Sequence, residues 1–435
     1  MTRMLILSLL LVAGVFSGDV DAKEYARGTA IVERQRQATL TKDWPRMVQT
    51  SEDLIAYHAQ AHVERSEMLA GAHLNRAQAL AQLGRGKEAL AALRGAMLAG
   101  HWRIDLLRND ERLAPLRTLS GWSALVERSE PPATVLGDWR STGEPDPLAV
   151  RIEGRRLLFR AGDGPISVFP CRWVGDGFAG QEVSFLCTTG KNGLSLTRLT
   201  TEGRRKIDFR RPPAGSPALE LKPFPIPASA EAPAAVIKQV QEELARRVAK
   251  DQAVRKGGDA GADMAKVDED NTAWLKARLG EVGWIDHQRF GATAAKAAFL
   301  IVQHSGDLPL MVAVLPLLEA ELRSGANEAK PGKGAEGAES GAIDPQNYCL
   351  LYDRTHLRLG DGQRYGTQLQ FEDNALLTAV LLPMEKFAPN MPVTEIMRQL
   401  EQNRTTIGLF PFMTYLESIA QLQGKMKMEV SFTEY

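Results

Sequence analysis

The chain has 435 residues, 44% of them hydrophobic and 24% charged, with 53 Lys+Arg against 53 Asp+Glu. That length favours two to four domains, and the composition is ordinary for a folded protein. A balanced charge gives no electrostatic drive toward nucleic acid or an anionic membrane.

At the start of the chain, Arg3 precedes an apolar stretch from Met4 to Phe16 and then SGDVDA, with Val20 and Ala22 placed as the small residues before a cleavage point at Lys23. This is the plan of a secretory signal over residues 1–22. The apolar stretch is too short to span a bilayer comfortably. The alternative is a buried N-terminal helix. The expectation is a periplasmic or secreted protein with no transmembrane segment after signal removal.

Residues 23–130 read as helices, because Gly and Pro are scarce between Glu24 and Leu98. Asp43 marks a turn, with Met47 and Leu54 facing inward. In AHLNRAQALAQLGRGKEALAALRGAML, Ala77 and Leu80 lie on one helix, Gly84 turns the chain, and Ala89, Leu93 and Ala96 line the next. Small residues at the closest approach of paired helices, followed by LLRNDERLAPLR, resemble a tetratricopeptide-like repeat with its C-terminal cap over residues 70–127. That resemblance implies either a protein or peptide partner or a structural platform. His58 and His62 have helical spacing, but HAQAH lacks the glutamate of a zinc-binding HExxH helix, and His73 does not complete a set.

The texture changes after Pro131-Pro132. Residues 134–211 hold short alternating runs (LAVRIEG, RRLLFRAG, ISVFPCRWVG, QEVSFLCTTG, GLSLTRLT, RKIDF) separated by glycines. Alternation between turn residues predicts a small antiparallel sheet or barrel. The opening Gly137-Asp138-Trp139 is similar to that of lipocalin-like barrels, but a packed module is expected rather than a ligand cup. The segment is rich in arginine, which suits a solvated face or contact with an acidic surface. Cys171 and Cys187 are either a disulfide or two separately buried thiols. Cys349 sits in an apolar run, YCLLY, as a core residue. Residues 212–234 form a Pro- and Ala-rich linker.

Residues 235–435 predict a mainly helical domain with a β-hairpin, so the whole chain is multidomain α+β. Val236, Val240, Leu244 and Val248 make one buried stripe, closed by Asp251, Gln252 and Arg255. A second helix carries Val267, Asn271, Trp274, Leu275 and Leu279, and Asp268 and Asn271 read as helix-start residues. Gly283-Trp284-Ile285 turns the chain. Helices follow at about 292–303 and 308–323, the second started by Asp307 and Pro309. Residues 324–342 are a Gly-, Lys- and Glu-rich loop. A hairpin is expected around Gly360-Asp361-Gly362 within residues 357–372. A last helix covers about 394–402.

Several ordered landmarks in this region resemble DUF6624, a family of unknown function. They are DQAVR from Asp251, VDEDNTAWL from Val267, Gly283-Trp284, AFLIVQHSGDLP from Ala298, YDRT from Tyr352, GQRYGTQ from Gly362 and NRTTIGLFPF from Asn403. The long loop at 324–342 departs from the pattern, and Ile285 stands at a position where the family's pattern has proline. The resemblance implies a fold and supplies no reaction.

The candidate chemistry centres on His304. An imidazole beside a carboxylate is a general acid or base near neutral pH. Asp307 and Asp353 are the candidate catalytic partners. Gln303, Arg354, Gln363, Tyr365, Gln368 and Arg404 are the candidate ligand-binding groups, with the arginines suited to an anion. The same residues equally suit a structural network that fixes helices against a hairpin. His287, His304 and His356 show no compact metal-ligand spacing, so no metal or other cofactor is expected. There is no GxSxG elbow, Gly-rich phosphate loop or CxxC pair. Two functions stay open: a binding or scaffold protein with a polar cleft, and a hydrolase or group-transfer enzyme using His304.

Overall fold

The computed structural model describes residues 22–101, 103–128, 130–142, 147–180, 183–190, 193–229, 231–256, 261–326, 344–373, 377–381, 384, 391–422 and 428–432. The apolar stretch of the expected signal and most of the loop at 324–342 lie outside these residues. Among the described residues, no helix is long and apolar enough to cross a membrane.

The N-terminal region is helical, as its sequence indicates. α1 (Ala22–Leu40), α2 (Trp44–Gln60), α3 (Glu67–Gln82) and α4 (Gly86–Leu98) pack each against the next. Asp43 starts α2 by accepting from the Arg46 amide, and Ser66 starts α3 by accepting from Leu69. Met47, Ala77, Leu80, Ala89, Leu93 and Ala96 are fully buried where the helices meet. A short α5 (Ile104–Asn109) and two irregular helical turns, Glu111–Leu116 and Ser123–Glu127, follow.

Nine described strands form one antiparallel sheet in the order β4-β3-β2-β1-β9-β8-β7-β6-β5. They are β1 (Gly137–Ser141), β2 (Leu148–Glu153), β3 (Arg156–Ala161), β4 (Ser167–Pro170), β5 (Arg172–Trp173), β6 (Gly177–Ala179), β7 (Ser184–Gly190), β8 (Gly193–Thr200) and β9 (Gly203–Arg210). The two edge strands, β4 and β5, are consecutive pieces of chain bent at Cys171, so the sheet comes round to a nearly closed barrel. Alternate residues point inward, and Val150, Ile152, Leu157, Phe178, Phe185, Leu194, Leu196 and Phe209 fill the interior. Phe159 stacks on Phe185 with ring centres 5.3 Å apart. Arg211 lies over the Trp139 ring at 3.7 Å and donates to the Leu136 carbonyl, which ties the last strand to the first.

Of the two alternatives for Cys171 and Cys187, the structure has two free buried thiols and no bridge. The strand register gives the reason. Cys171 packs beside Gly180, whose amide donates to Val183, whereas the Cys187 amide donates to Asp176. Four residues along β7 separate the two rows, about 13 Å at strand spacing, well beyond disulfide reach.

Many of the barrel's arginines are engaged within the chain. Arg172 is buried and donates to the Val126 carbonyl, and Arg204 pairs with Glu64 at 2.6 Å. Val174, Ala179 and Leu199 share one core with Leu93 and Leu98, so the barrel is mounted on the helical region. The described linker residues before Ala234 form no helix or strand, yet the linker is tied down at two points. The Leu219 amide donates to Asp138, and the Phe224 amide donates to the Pro309 carbonyl.

The C-terminal region packs α6 (Ala234–Lys256), α7 (Gly261–Val282), α8 (His287–His304), α9 (Leu308–Ala326) and α10 (Pro345–Leu359) around one apolar core. Val240, Leu244, Leu275, Leu279, Phe299, Val302, Leu310 and Leu351 meet there. α8 contains a non-helical Gly291 near its start. The expected hairpin around Gly360 is instead a helix end: Gly360 takes φ 81° and its amide returns to the last turn of α10. The hairpin lies further on, as β10 (Leu369–Asp373) against β11 (Leu377–Leu381), with β12 (Met428–Phe432) added in parallel. α11 (Val393–Thr406) and α12 (Phe412–Leu422) complete the region.

Candidate functional site

The buried stripe of α6 runs through Val240 and Leu244 and then continues at the same spacing through Val248, Asp251 and Arg255. The stripe of α7 likewise carries Asp268 and Thr272 ahead of Leu275 and Leu279. Charged groups therefore occupy positions that the helix geometry directs at the core. They meet the C-terminal end of α8, where His304 is the last helical residue.

His304 Nδ1 lies 3.4 Å from Asp251 Oδ2, and one fifth of the His304 side chain stays exposed. Arg255 bridges the two carboxylates, Nε to Asp251 Oδ1 at 3.0 Å and Nη2 to Asp268 Oδ1 at 2.6 Å. Gln252 donates to Asp251 Oδ2 at 3.0 Å. Burial opposes the charge on Asp251, but Arg255, His304 and Gln252 together hold its carboxyl below the usual range. For His304, burial comes first and Arg255 second in pushing the pKa down; Asp251 and Asp268 push back, and Arg354 adds a small further drop. The net effect lowers the His304 pKa and favours the neutral ring, with Nδ1 3.4 Å from a carboxylate oxygen.

Asp251, Asp268 and His304 offer ligand atoms within 4.8 Å of one another, a spacing that suits a metal ion. Arg255 argues against that use. Its guanidinium already bridges both carboxylates, and a cation placed among them would face it directly.

The expected partners of His304 stand elsewhere. Asp307 starts α9, accepting from the Leu310 amide at 2.9 Å, and pairs with Lys276 at 2.8 Å. Asp353 is wholly buried. Its Oδ1 accepts from the Arg364 and Tyr365 amides, and its Oδ2 accepts from the Thr367 amide and hydroxyl, at 2.7 to 3.0 Å. Burial outweighs these donors and raises the Asp353 carboxyl above its usual range. The geometry points the other way and carries more weight, since two bonds on each oxygen is the pattern of an ionised carboxylate with no lone pair left for a proton. Asp353 thus holds the loop after α10 and has no capacity left for His304.

The remaining loop residues belong to the same knot. Gln363 Nε2 donates to the Gln368 carbonyl at 3.0 Å, and its Oε1 accepts from the Gln368 amide at 2.9 Å, so one side chain imitates a strand pair. Gln368 Nε2 reaches the Leu350 carbonyl. Tyr365 is buried against Tyr352, and burial raises its phenol to about 12. Gly366 takes φ 67° where a side chain would collide with Leu400 and Phe412, which is why this turn needs glycine. Arg404 is fully buried, donates to the Tyr365 and Phe410 carbonyls at 2.7 and 2.8 Å, and faces the Tyr415 ring. Asp353, Gln363, Tyr365, Gln368 and Arg404 thus bond to one another's segments, and no hydrogen bond or ion pair among the described residues joins them to His304.

Arg354 and Gln303 do border the His304 cluster. Arg354 Nη1 donates to the Gln303 carbonyl at 2.9 Å, at the end of α8. Of the sequence candidates, His304, Gln303 and Arg354 come together. Asp251, Gln252, Arg255 and Asp268 complete the cluster. They read in the sequence as helix-closing or helix-start residues, although a charge on a buried stripe was the available signal.

Residues 238–423 match the model of a family of unknown function, DUF6624. No curated protein and no solved structure matches the chain.

Proposed function

We propose that the DUF6624 region is a small-ligand binding module of an exported, periplasmic or secreted protein, and that its polar cleft is the His304 cluster. The observation that supports this is an open group of charges built from separate helices. Asp251, Arg255, Asp268 and His304 keep between 5 and 25% of their side-chain surface exposed. Such a group is a poor stabiliser, because apolar side chains of similar volume would hold the helices at least as well. Access from solvent together with a costly constellation favours a site. The helical region and barrel serve in this reading as a platform. A protein or peptide partner at residues 70–127 is a separate proposal that rests on the tetratricopeptide-like pattern alone.

One observation favours a second reading. Asp251 faces Nδ1 of a neutral imidazole, which orients the ring and leaves Nε2 for proton exchange. Under that reading the protein is a hydrolase or group-transfer enzyme acting on a small polar or phosphorylated substrate.

A thermal-shift screen of polar small molecules on the intact chain tests the binding reading. A specific ligand at one hundred times its Kd stabilises by about 2.7 kcal/mol, and His304→Ala is expected to abolish that gain. Hits that shift the native chain and His304→Ala alike would sink the proposal.

A further inference from the structure

Resting on the reading of the His304 cluster as a binding site, we infer that its ligand is an anion, of the carboxylate or phosphate class, seated on Arg354. The argument starts from what each charge in the cluster already does. Arg255 is saturated by Asp251 and Asp268. Asp307 is taken by Lys276. Arg354 spends one donor on the Gln303 carbonyl, and among the described residues no carboxylate pairs with it. A guanidinium carries five donors in a planar fork, so most of its capacity remains.

The charges that weigh most on Arg354 are of its own sign, with Asp251 and Asp268 held on Arg255. Arg358, one turn along α10, and Arg255, across the cleft on α6, both disfavour its charge, and burial disfavours it further. Arg358 itself lies against the turn between α8 and α9, beside Gly306 and Met311. A half-buried guanidinium among guanidiniums is an unfavourable arrangement that an anion relieves. The fork geometry suits a carboxylate or phosphate bidentately.

Position makes this more than a stray charge. Arg354 grips the residue immediately before His304, so an anion on its outer donors borders the imidazole. The charged groups facing His304 are Asp251 and Arg255 from α6, Asp268 from α7 and Arg354 from α10. Adding an anion to that set favours protonation of the ring. Anion binding is therefore coupled to proton uptake at His304, and each strengthens the other.

The test uses the intact chain, with inorganic phosphate and acetate as separate probes and the His304 ring followed by NMR of histidine-labelled protein. Phosphate is expected to raise the His304 titration midpoint. Arg354→Gln is expected to weaken phosphate binding at least about tenfold, the size of one charge-assisted hydrogen bond. Arg354→Lys keeps a charge without the fork and is expected to fall between the two; it decides the matter if circular dichroism shows that the Gln variant does not fold. A response to acetate equal to that for phosphate assigns the carboxylate class, and a response to phosphate alone assigns the phosphate class. If neither anion moves His304 in the native chain, or if both Arg354 variants bind as tightly as the native chain, the inference is overturned. A ligand from the thermal-shift screen that still needs His304 would then leave the binding site standing without its anion; loss of both would remove the site as well.

Discussion

Asp353 and Arg354 are neighbours on one helix, yet they serve two polar clusters of opposite character. The Asp353 knot is closed: four donors fill one carboxylate, Gln363 brackets Gln368, and Arg404 is fully buried across two carbonyls. The His304 cluster is open: its ion pairs are formed, Arg255, Asp268 and His304 remain partly exposed beside a buried Asp251, and Arg354 keeps unspent donors. The two are built from the same residue types. What separates them is the central carboxylate, whose hydrogen-bonding capacity is exhausted inside the protein at Asp353 and not at Asp251. The closed knot fixes the loop at 363–368 onto α10, and α10 in turn places Arg354 against the end of α8.

The largest effect is expected at the closed knot. Asp353→Asn turns an amide NH2 toward Thr367, whose hydroxyl can swing round to accept from it but whose amide cannot. That leaves one buried N–H unpaired, at a cost of about 1–3 kcal/mol. Urea unfolding of the variant checks this, and a loss below about 1 kcal/mol would show that the loop does not depend on the carboxylate. Anion binding should fall only as far as folding falls. A folded Asp353→Asn chain with native stability and no binding would reverse the roles given to the two clusters.

Glu321 sharpens the comparison from the other side, since it is a carboxyl whose burial is not offset. Trp284 Nε1 donates to its Oε1 at 2.7 Å, but burial still raises its pKa from an ordinary 4.5 to about 7. The sign follows from linkage. The fold prefers the protonated form, so its contribution is fully present below pH 4.5 and is lost as pH rises through about 7. Glu321→Gln keeps the acceptor and removes the charge. It is expected to gain about 1–2 kcal/mol over the native chain at pH 8, with little difference at pH 5. Equal stability of the two proteins at both pH values would mean that Glu321 stays solvated.

The three-part architecture was legible because each part has its own period: small and apolar residues at helical spacing up to Leu98, two-residue alternation between glycines up to Arg210, and a four-residue stripe from Val236 onward. The sequence left an open sheet and a barrel as alternatives, since near-closure depends on the bend at Cys171 placing β4 and β5 at opposite edges of one sheet. At the site, His304 and Arg354 were legible as residue types with chemistry to offer. Their partners were not, because sequence proximity favoured Asp307, three residues on, over Asp251, fifty-three residues back. Only helix packing brings α6 and α7 to the end of α8. The hairpin misplaced at Gly360 has a local cause: glycine in a left-handed conformation ends a helix as readily as it turns a hairpin.

The smallest expected change in stability, and the most informative about the open cluster, comes from Asp251→Asn. Asp251 is buried, but Arg255 keeps Asp268 after the substitution, and the new amide still accepts one hydrogen bond. The loss of stability is expected to stay below about 2 kcal/mol, less than at Asp353. The imidazole should respond more than the fold does. Asp251 is the largest influence raising the His304 pKa against burial and Arg255, so removing its charge drives the midpoint further down. Histidine NMR reads that shift directly. A midpoint that stays put in a folded Asp251→Asn chain would mean that the 3.4 Å approach carries no electrostatic coupling, and the second, acid–base reading would fall with it. A lower midpoint would bring the two clusters apart cleanly: carboxylate loss at Asp353 is felt by the backbone, whereas at Asp251 it is felt by a proton.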